Sequence, residues 1–209
     1  MGRKGLLIFT AATTLLTLAG ILLLDRPLAE FIRASGWEDA WLFSAGTVLL
    51  DTLSGKGLYK LMPGLAFAIV GAVMMFPVRM RRQGAALLFV GATHMSSTMI
   101  CGMSKNLFNR MRPYELLNSG DWDQAWFVSG TSFPSGHGGF YFGLFLPLAY
   151  LFPRWRWPLL AAPFFIAAAR MNAGMHFLSD VTASMTVAAL VTLAMAAVLR
   201  PDTREVSHG

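Results

Sequence analysis

The sequence predicts an all-α, polytopic membrane protein, and three observations carry that expectation. Of its 209 residues, 55% are hydrophobic and only 13% are charged, a balance far from that of an ordinary soluble domain. The mean hydropathy is positive. The apolar residues also gather into six runs, 6–24, 58–76, 85–107, 138–152, 157–173 and 181–199, each near the length of about 20 residues that crosses a hydrocarbon core. The expected architecture is therefore six transmembrane helices in a single membrane-embedded domain over 1–209, with an interfacial helical segment between the first and second spans.

The elements follow in chain order. Arg3 and Lys4 precede the first run in the manner of a signal peptide. That run is longer than a usual signal core, however, and Asp25-Arg26-Pro27 follows it without a small-residue cleavage pattern, so a retained helix is expected. The segment 27–60 mixes Phe31, Ile32, Trp37, Trp41, Phe43, Leu49 and Leu50 with charges, which suits a helix lying in the membrane interface. Asp51, Lys56 and Lys60 flank the start of the second run around Ser54-Gly55. They read as interface anchors, with contact to a lipid headgroup the lesser alternative.

The third run holds Cys101, the one cysteine of the chain; no disulfide can form within one chain, and a packing role is expected. His94 lies about 16 Å along the same helix from Lys105 at 1.5 Å per residue, which points to a hydrogen-bonded packing residue. Arg110, near the end of this run, reads as a cation snorkelling to the interface. The fourth run opens after Ser132-Phe133-Pro134-Ser135-Gly136-His137, where Ser132 is a candidate helix cap and Pro134 suits a first turn. The fifth and sixth runs flank Asn172-Ala173-Gly174, a break. His208 falls in the polar tail. No repeat, linker or second domain is visible.

Basic residues set the orientation. Six spans put both termini on one side with the 78–84 and 153–157 loops, and there Arg3, Lys4, Arg79, Arg81, Arg82, Arg154, Arg156, Arg200 and Arg204 face only Asp202 and Glu205. The formal charge of +6 thus divides into +7 on that side and −1 on the other. Positive short loops mark the cytoplasm. The basic balance therefore reports topology and excludes nucleic-acid binding as its explanation.

Three short motifs fall near span ends on the opposite, outer side. Lys105 and Arg112 are seven residues apart, two turns along one face if the third helix runs that far, and Pro113 then biases Arg112 out of the helix. Arg112 offers a planar fork for two oxygens and Lys105 a point charge, a pairing suited to a phosphoryl group. In the second motif the amides of Ser135, Gly136 and His137 would point out of a helix start, an anion site, although the bland reading is a helix start and nothing more. In the third, His176 and Asp180 are at i and i+4 on one helical face. The carboxylate can take the hydrogen of one imidazole nitrogen and leave the other as an attacking lone pair. Arg170 joins them if the chain turns at Asn172-Ala173-Gly174.

Together, Lys105 with Arg112-Pro113, Pro134-Ser135-Gly136-His137, and Arg170 with His176 and Asp180 resemble the tripartite motif of the type 2 phosphatidic acid phosphatase superfamily, which includes vanadium haloperoxidases and bacterial acid phosphatases. The resemblance covers 105–180. It implies that His176 is the nucleophile and forms a phosphohistidine, that Asp180 orients it, and that His137 protonates the leaving oxygen. It also implies that Lys105, Arg112, Ser135, Gly136 and Arg170 hold the phosphoryl oxygens without metal or cofactor. Ala169 stands where the family often has Ser, which bears on fine geometry more than on activity.

A site in the bilayer plane favours a substrate whose tail stays in the membrane: a polyprenyl diphosphate, phosphatidic acid, phosphatidylglycerol phosphate or a lipid A phosphate. The expected activity is a metal-independent lipid phosphatase of a bacterial inner membrane, its site facing the periplasm and both termini in the cytoplasm. The alternatives are a lipid phosphotransferase using the same residues and a lipid-binding or transport protein with a degenerate site. The partners implied are a membrane lipid phosphate and the bilayer, with no nucleic acid, and the sequence leaves the oligomeric state open.

Overall fold

A computed structural model describes residues 1–201; Asp202, Arg204, Glu205 and His208 lie outside the described residues. The described chain is helical, with no strand among its residues. Helix α1 (Arg3–Ala19) runs through wider π-type turns at Gly20–Leu24 into α2 (Asp25–Ala34). A side chain at Gly20 would put its Cβ 2.9 Å from that of Ser179, so the glycine lets this turn sit against the start of the last helix and carries Asp25 inward. Helix α3 (Trp41–Leu53) follows a turn in which the Asn172 amide donates to Trp37 O at 2.6 Å and accepts from Ala40 N at 2.9 Å. The expected interfacial helix is thus two helices, joined by a turn fastened to the far end of the chain.

The second apolar run yields a shorter helix than expected. Helix α4 spans Met62–Met74, while 58–61 is taken up by turns after Gly55, whose φ is +71°, and Pro63 sits in the first turn. Helix α5 (Arg81–Phe108) is the longest and is closed by Asn109 in the left-handed conformation, φ +42°. Arg112 is extended (φ −84°, ψ 158°) before Pro113, which opens the short α6 (Pro113–Ser119). Helices α7 (Gly136–Leu151), α8 (Arg156–Asn172) and α9 (Leu178–Leu199) complete the order.

Three stretches are long and apolar enough to cross a bilayer: Arg3–Ala34, Val78–Ser119 and Leu178–Leu199. They correspond to the first, third and sixth expected spans. Helices α4, α7 and α8 have 13, 16 and 17 residues, below the roughly 20 that span unaided. Pro147 and Pro163 sit inside α7 and α8, where neighbouring helices can re-satisfy the freed backbone groups.

At the centre, α5, α7 and α9 pack on one another, with α4 on α5, α8 on α7, α1 on α9 and α3 on α8. Leu6, Phe142, Leu146, Val181, Met185 and Ala188 fill the α1–α7–α9 layer. In a bilayer, lipid tails match apolar side chains, so close packing and interhelical hydrogen bonds hold helices together. Both are present. Thr17 Oγ1 donates to Thr182 Oγ1 and Thr186 Oγ1 to Thr13 Oγ1, each at 2.9 Å, between α1 and α9. Between α4 and α5 the backbones approach so closely that a Cβ on Gly91 would lie 2.6 Å from Gly64 O, and one on Gly71 would lie 2.8 Å from Gly84 O.

That approach gives a prediction. Gly91→Leu must separate α4 from α5, at a cost of about 1–3 kcal/mol for an overpacked contact. A thermal melt of the detergent-solubilised protein should fall by several degrees, whereas Gly2→Leu, which meets nothing within 4 Å, should leave it unchanged.

Candidate active site

At one end of the central helices a cavity of about 290 Å³ is lined by Lys56, Lys60, Lys105, Arg112, Gly136, His137, Arg170 and His176, with Thr98, Gly102 and Phe140 below them. Seven of the eight residues expected to form the site by phosphate contact or catalysis on that cavity therefore meet there or directly behind it, drawn from three separate stretches of chain. The eighth, Ser135, is placed differently.

Lys105 and Arg112 do not share one helical face, because α5 ends at Phe108. The chain doubles back instead: 125–132 runs beside 108–111, with Met111 N donating to Ala125 O at 2.9 Å and Ser132 N to Arg110 O at 2.9 Å. Gly130 is required at this crossing, since a Cβ there would fall 1.9 Å from Arg110 O. Thr131 then ties both cations down. The Lys105 amine donates to its carbonyl, and Arg112 Nη2 donates to its hydroxyl at 3.1 Å.

The second motif starts a helix, but the cap is Ser135 and not Ser132. Ser135 Oγ accepts from Gly138 N at 3.2 Å, and its own amide donates to Asp180 O at 2.9 Å. The residue is fully buried; Gly136 and His137 are the members of this turn that line the cavity. A Cβ on Gly138 would clash with Ser184 Oγ at 1.8 Å, which is why α7 can press its first turn against α9.

In the third motif the chain turns at Gly174, φ +63°, and the amides of Met175 and His176 donate to Arg170 O at 3.1 and 3.2 Å. This turn brings Arg170 and His176 onto one wall. His176 Nδ1 faces Asp180 Oδ2 at 3.6 Å and Ser132 Oγ at 3.5 Å, leaving Nε2 as the unencumbered nitrogen. Ser132, expected as a cap, donates to Asp180 Oδ2 at 2.5 Å. Phe177 N donates to the same oxygen at 2.7 Å. Burial pushes the His176 imidazole down to about 4, against the pull of Asp180, so the ring is neutral and nucleophilic at physiological pH.

Arg110 is not a snorkelling cation. It is 3% exposed and its guanidinium stacks between the rings of Trp126 and Phe177, 4.2 Å from each centroid. It donates to Asp180 Oδ1 at 2.6 Å and to Asp25 Oδ2 at 2.7 Å. Asp25 in turn accepts from the amide and hydroxyl of Ser179. An Arg at the end of an apolar run and an Asp at the end of another were the available sequence signal, since ionisable groups at membrane depth pair with one another.

Asp51 and Lys56 are not merely anchors either. Asp51 Oδ2 lies 3.1 Å from His137 Nε2, and Lys56 Nζ lies 2.8 Å from that oxygen and 2.6 Å from that nitrogen. Lys60 joins the cavity wall. His94 is a packing residue, edge-on to Phe140 at 4.6 Å, but neither ring nitrogen has a hydrogen-bond partner among the described residues. Cys101 is buried and free.

Two measurements test this electrostatic arrangement. Arg110→Gln strands two buried carboxylates and should cost about 3–5 kcal/mol, read as a large drop in melting temperature in detergent. A titration of His176 by ¹⁵N NMR should give a midpoint near 4 and not the ordinary value of about 6.5. Because the folded protein resists protonation there while the unfolded chain does not, this histidine's stabilising contribution is whole above about pH 6.5 and is lost as pH falls toward 4.

The chain is 28% identical over 180 residues to a lipid A 1-phosphatase of Rhizobium johnstonii, covering 83% of this chain and 67% of that protein. It is 27% identical over 167 residues to a lipid A 1-phosphatase of Rhizobium etli, covering 77% of this chain and 65% of that protein. The chain thus spans about two thirds of the length of these relatives. The profile of the PAP2 superfamily matches residues 83–204, a stretch that takes in all three motifs and the helices that carry them, and the chain belongs to that superfamily.

Proposed function

We propose that this chain is a six-span membrane lipid phosphatase that removes the 1-phosphate of a lipid A-type glycolipid through a phosphohistidine on His176. The observation that carries the reading is the neutral imidazole of His176, its Nδ1 turned to Asp180 and Ser132, at the wall of a cavity lined by five cations. The relatives' activity on lipid A supports the choice among lipid phosphates.

Lys105, Arg112 and Arg170, with the turn at Gly136, take the phosphoryl oxygens, on which transition-state charge accumulates. His176 Nε2 attacks phosphorus while Asp180 holds the other nitrogen, and the bond to the leaving oxygen breaks as His137 gives that oxygen a proton. Water then attacks the phosphohistidine, passing its proton to His137, and the P–N bond breaks to release phosphate. The wall of five cations disfavours a divalent ion, so the reaction proceeds without one. Ser135 contributes by fixing the helix start and not by touching substrate.

Purified protein should release phosphate from lipid A 1-phosphate faster than from phosphatidic acid, phosphatidylglycerol phosphate or a polyprenyl diphosphate, and should do so in excess chelator. Loss of turnover in chelator, restored by a divalent ion, would sink the metal-free reaction, and preference for another lipid of the panel would move the substrate. His176→Ala should abolish turnover and labelling, and Asp180→Asn should lose on the order of 10⁴-fold in rate, as when an orienting carboxylate is replaced in a hydrolase triad. For topology, a reporter fused after Gly209 should be cytoplasmic and one inserted near Asn118 should be exported; the reverse would place the site on the inner face.

A further inference from the structure

His137 has a carboxylate of its own. Asp51, at the end of α3, is 86 residues away in sequence, yet its Oδ2 lies 3.1 Å from His137 Nε2. Its Oδ1 accepts from the Tyr141 hydroxyl at 2.8 Å. Tyr141 is one turn beyond His137 on α7 and is itself buried, with its hydroxyl 3.3 Å from Ser54 Oγ. Lys56 Nζ completes the cluster, 2.8 Å from Asp51 Oδ2 and 2.6 Å from His137 Nε2. The carboxylate is therefore held at both oxygens, by groups from the α3–α4 connection and from α7, in one orientation toward the imidazole.

We propose that Asp51 is the positioning residue of His137, so that the site contains two His–Asp pairs of opposite sense. At His176 the carboxylate faces Nδ1 and frees Nε2; at His137 it faces Nε2 and frees Nδ1. Nε2 is enclosed between Asp51 Oδ2 and the Lys56 amine and leaves no room for a substrate oxygen, so Nδ1 is the atom of His137 that exchanges protons. In the first half-reaction the imidazolium passes its Nδ1 proton to the leaving oxygen as the P–O bond breaks. The neutral ring keeps its Nε2 hydrogen on Asp51. In the second half, water forms its bond to phosphorus, the P–N bond to His176 breaks, and the proton lost by water goes to Nδ1. Burial first, and then the Lys56 and Arg170 cations, hold the His137 imidazole below its ordinary range, and Asp51 pulls against them. Burial pushes the Lys56 amine down while Asp51 pulls it up.

The proposal rests on the acid–base role given to His137 above, and leaving-group dependence separates it from a structural tie between α3 and α7. An acid that protonates the leaving oxygen matters most when that oxygen is a poor leaving group. In the full-length purified protein, Asp51→Asn should lower kcat by about 100-fold or more on an alkyl phosphate and by less than about 10-fold on p-nitrophenyl phosphate, within the range of general acid catalysis, while KM stays within about threefold. Asp51→Glu should recover part of the alkyl phosphate rate, and Tyr141→Phe, which frees one oxygen of Asp51, should show the same selectivity at smaller size. In a His137→Ala background, Asp51→Asn should add no further loss, since a residue acting through another has nothing to act on once that partner is gone. Equal losses on both substrates, a change confined to KM, or additive losses in the double variant would overturn the proposal. A wild-type protein that splits p-nitrophenyl phosphate but no lipid A phosphate would overturn the substrate reading and leave this test intact, whereas a wild type inert toward every phosphate ester would overturn both.

Discussion

Asp180 is 0% exposed at the start of a membrane helix, and a carboxylate taken out of water without a partner would cost several kcal/mol. Arg110 supplies the partner, and much of the surrounding structure exists to hold Arg110. The rings of Trp126 and Phe177 clamp its plane, and Asp25 takes its second amino group. Asp25 can be there only because the π-type turns at Gly20–Leu24 and the bare Gly20 let the chain settle on Ser179. The first helix is thereby fixed to the last by charge as well as by the Thr17–Thr182 contact. This network carries two carboxylates and one cation. Its excess negative charge faces His176 and favours any positive character that the ring acquires.

The same need to pair charge divides the site into two histidines with different surroundings. His176 is enclosed, faced by a carboxylate that is already engaged by Arg110, Ser132 and a backbone amide. Such a carboxylate orients the ring and is poorly placed to take its proton. His137 stands at a helix start beside Asp51 and Lys56 in a less enclosed position. Two titratable groups of one kind in unlike environments are how a site separates nucleophile from acid and base. The cavity between them has cations from α5, from α8 and from the connections after α3 and α5. Those charges repel one another until an anion enters, so the cavity favours an anionic group.

Local signals made part of this legible in the sequence. Apolar run length located the first, third and sixth helices, because their hydrophobicity is continuous over a bilayer's thickness. Arg112 before Pro113 is extended for the steric reason read in advance, and the break at Asn172-Ala173-Gly174 does return Arg170 to His176. What was not legible depended on competition between residues far apart. Ser132 and Ser135 are equally good caps by type; the structure uses Ser135 because Ser132 is drawn to Asp180. Asn109 ends α5 before Arg110 can continue it, which no periodicity announces. Asp51 lies 86 residues from His137 and Asp25 lies 85 from Arg110. A single sequence can mark such groups as needing a partner, but it does not say which distant residue supplies it.

Precision in the site comes from where its parts are mounted. Gly138, Gly139 and Gly143 let α7 approach α9 at Ser184 and α5 at Cys101 and Ser97 more closely than any side chain would permit. Helix starts and ends then sit within reach of one another, so Lys105, His137 and Arg170 each project from a helix terminus and not from a free loop. Constellations held on rigid elements keep their geometry better than those on loops. The loops here serve differently: Thr131 positions two cations, and the turn at Gly174 sets the height of His176. The close-packed centre and the reactive end therefore share one cause, small residues that allow three helices to converge. Widening that convergence would loosen the fold and pull Asp180 on α9 away from Ser132 and Arg110, which hold it from the connections between α5 and α7.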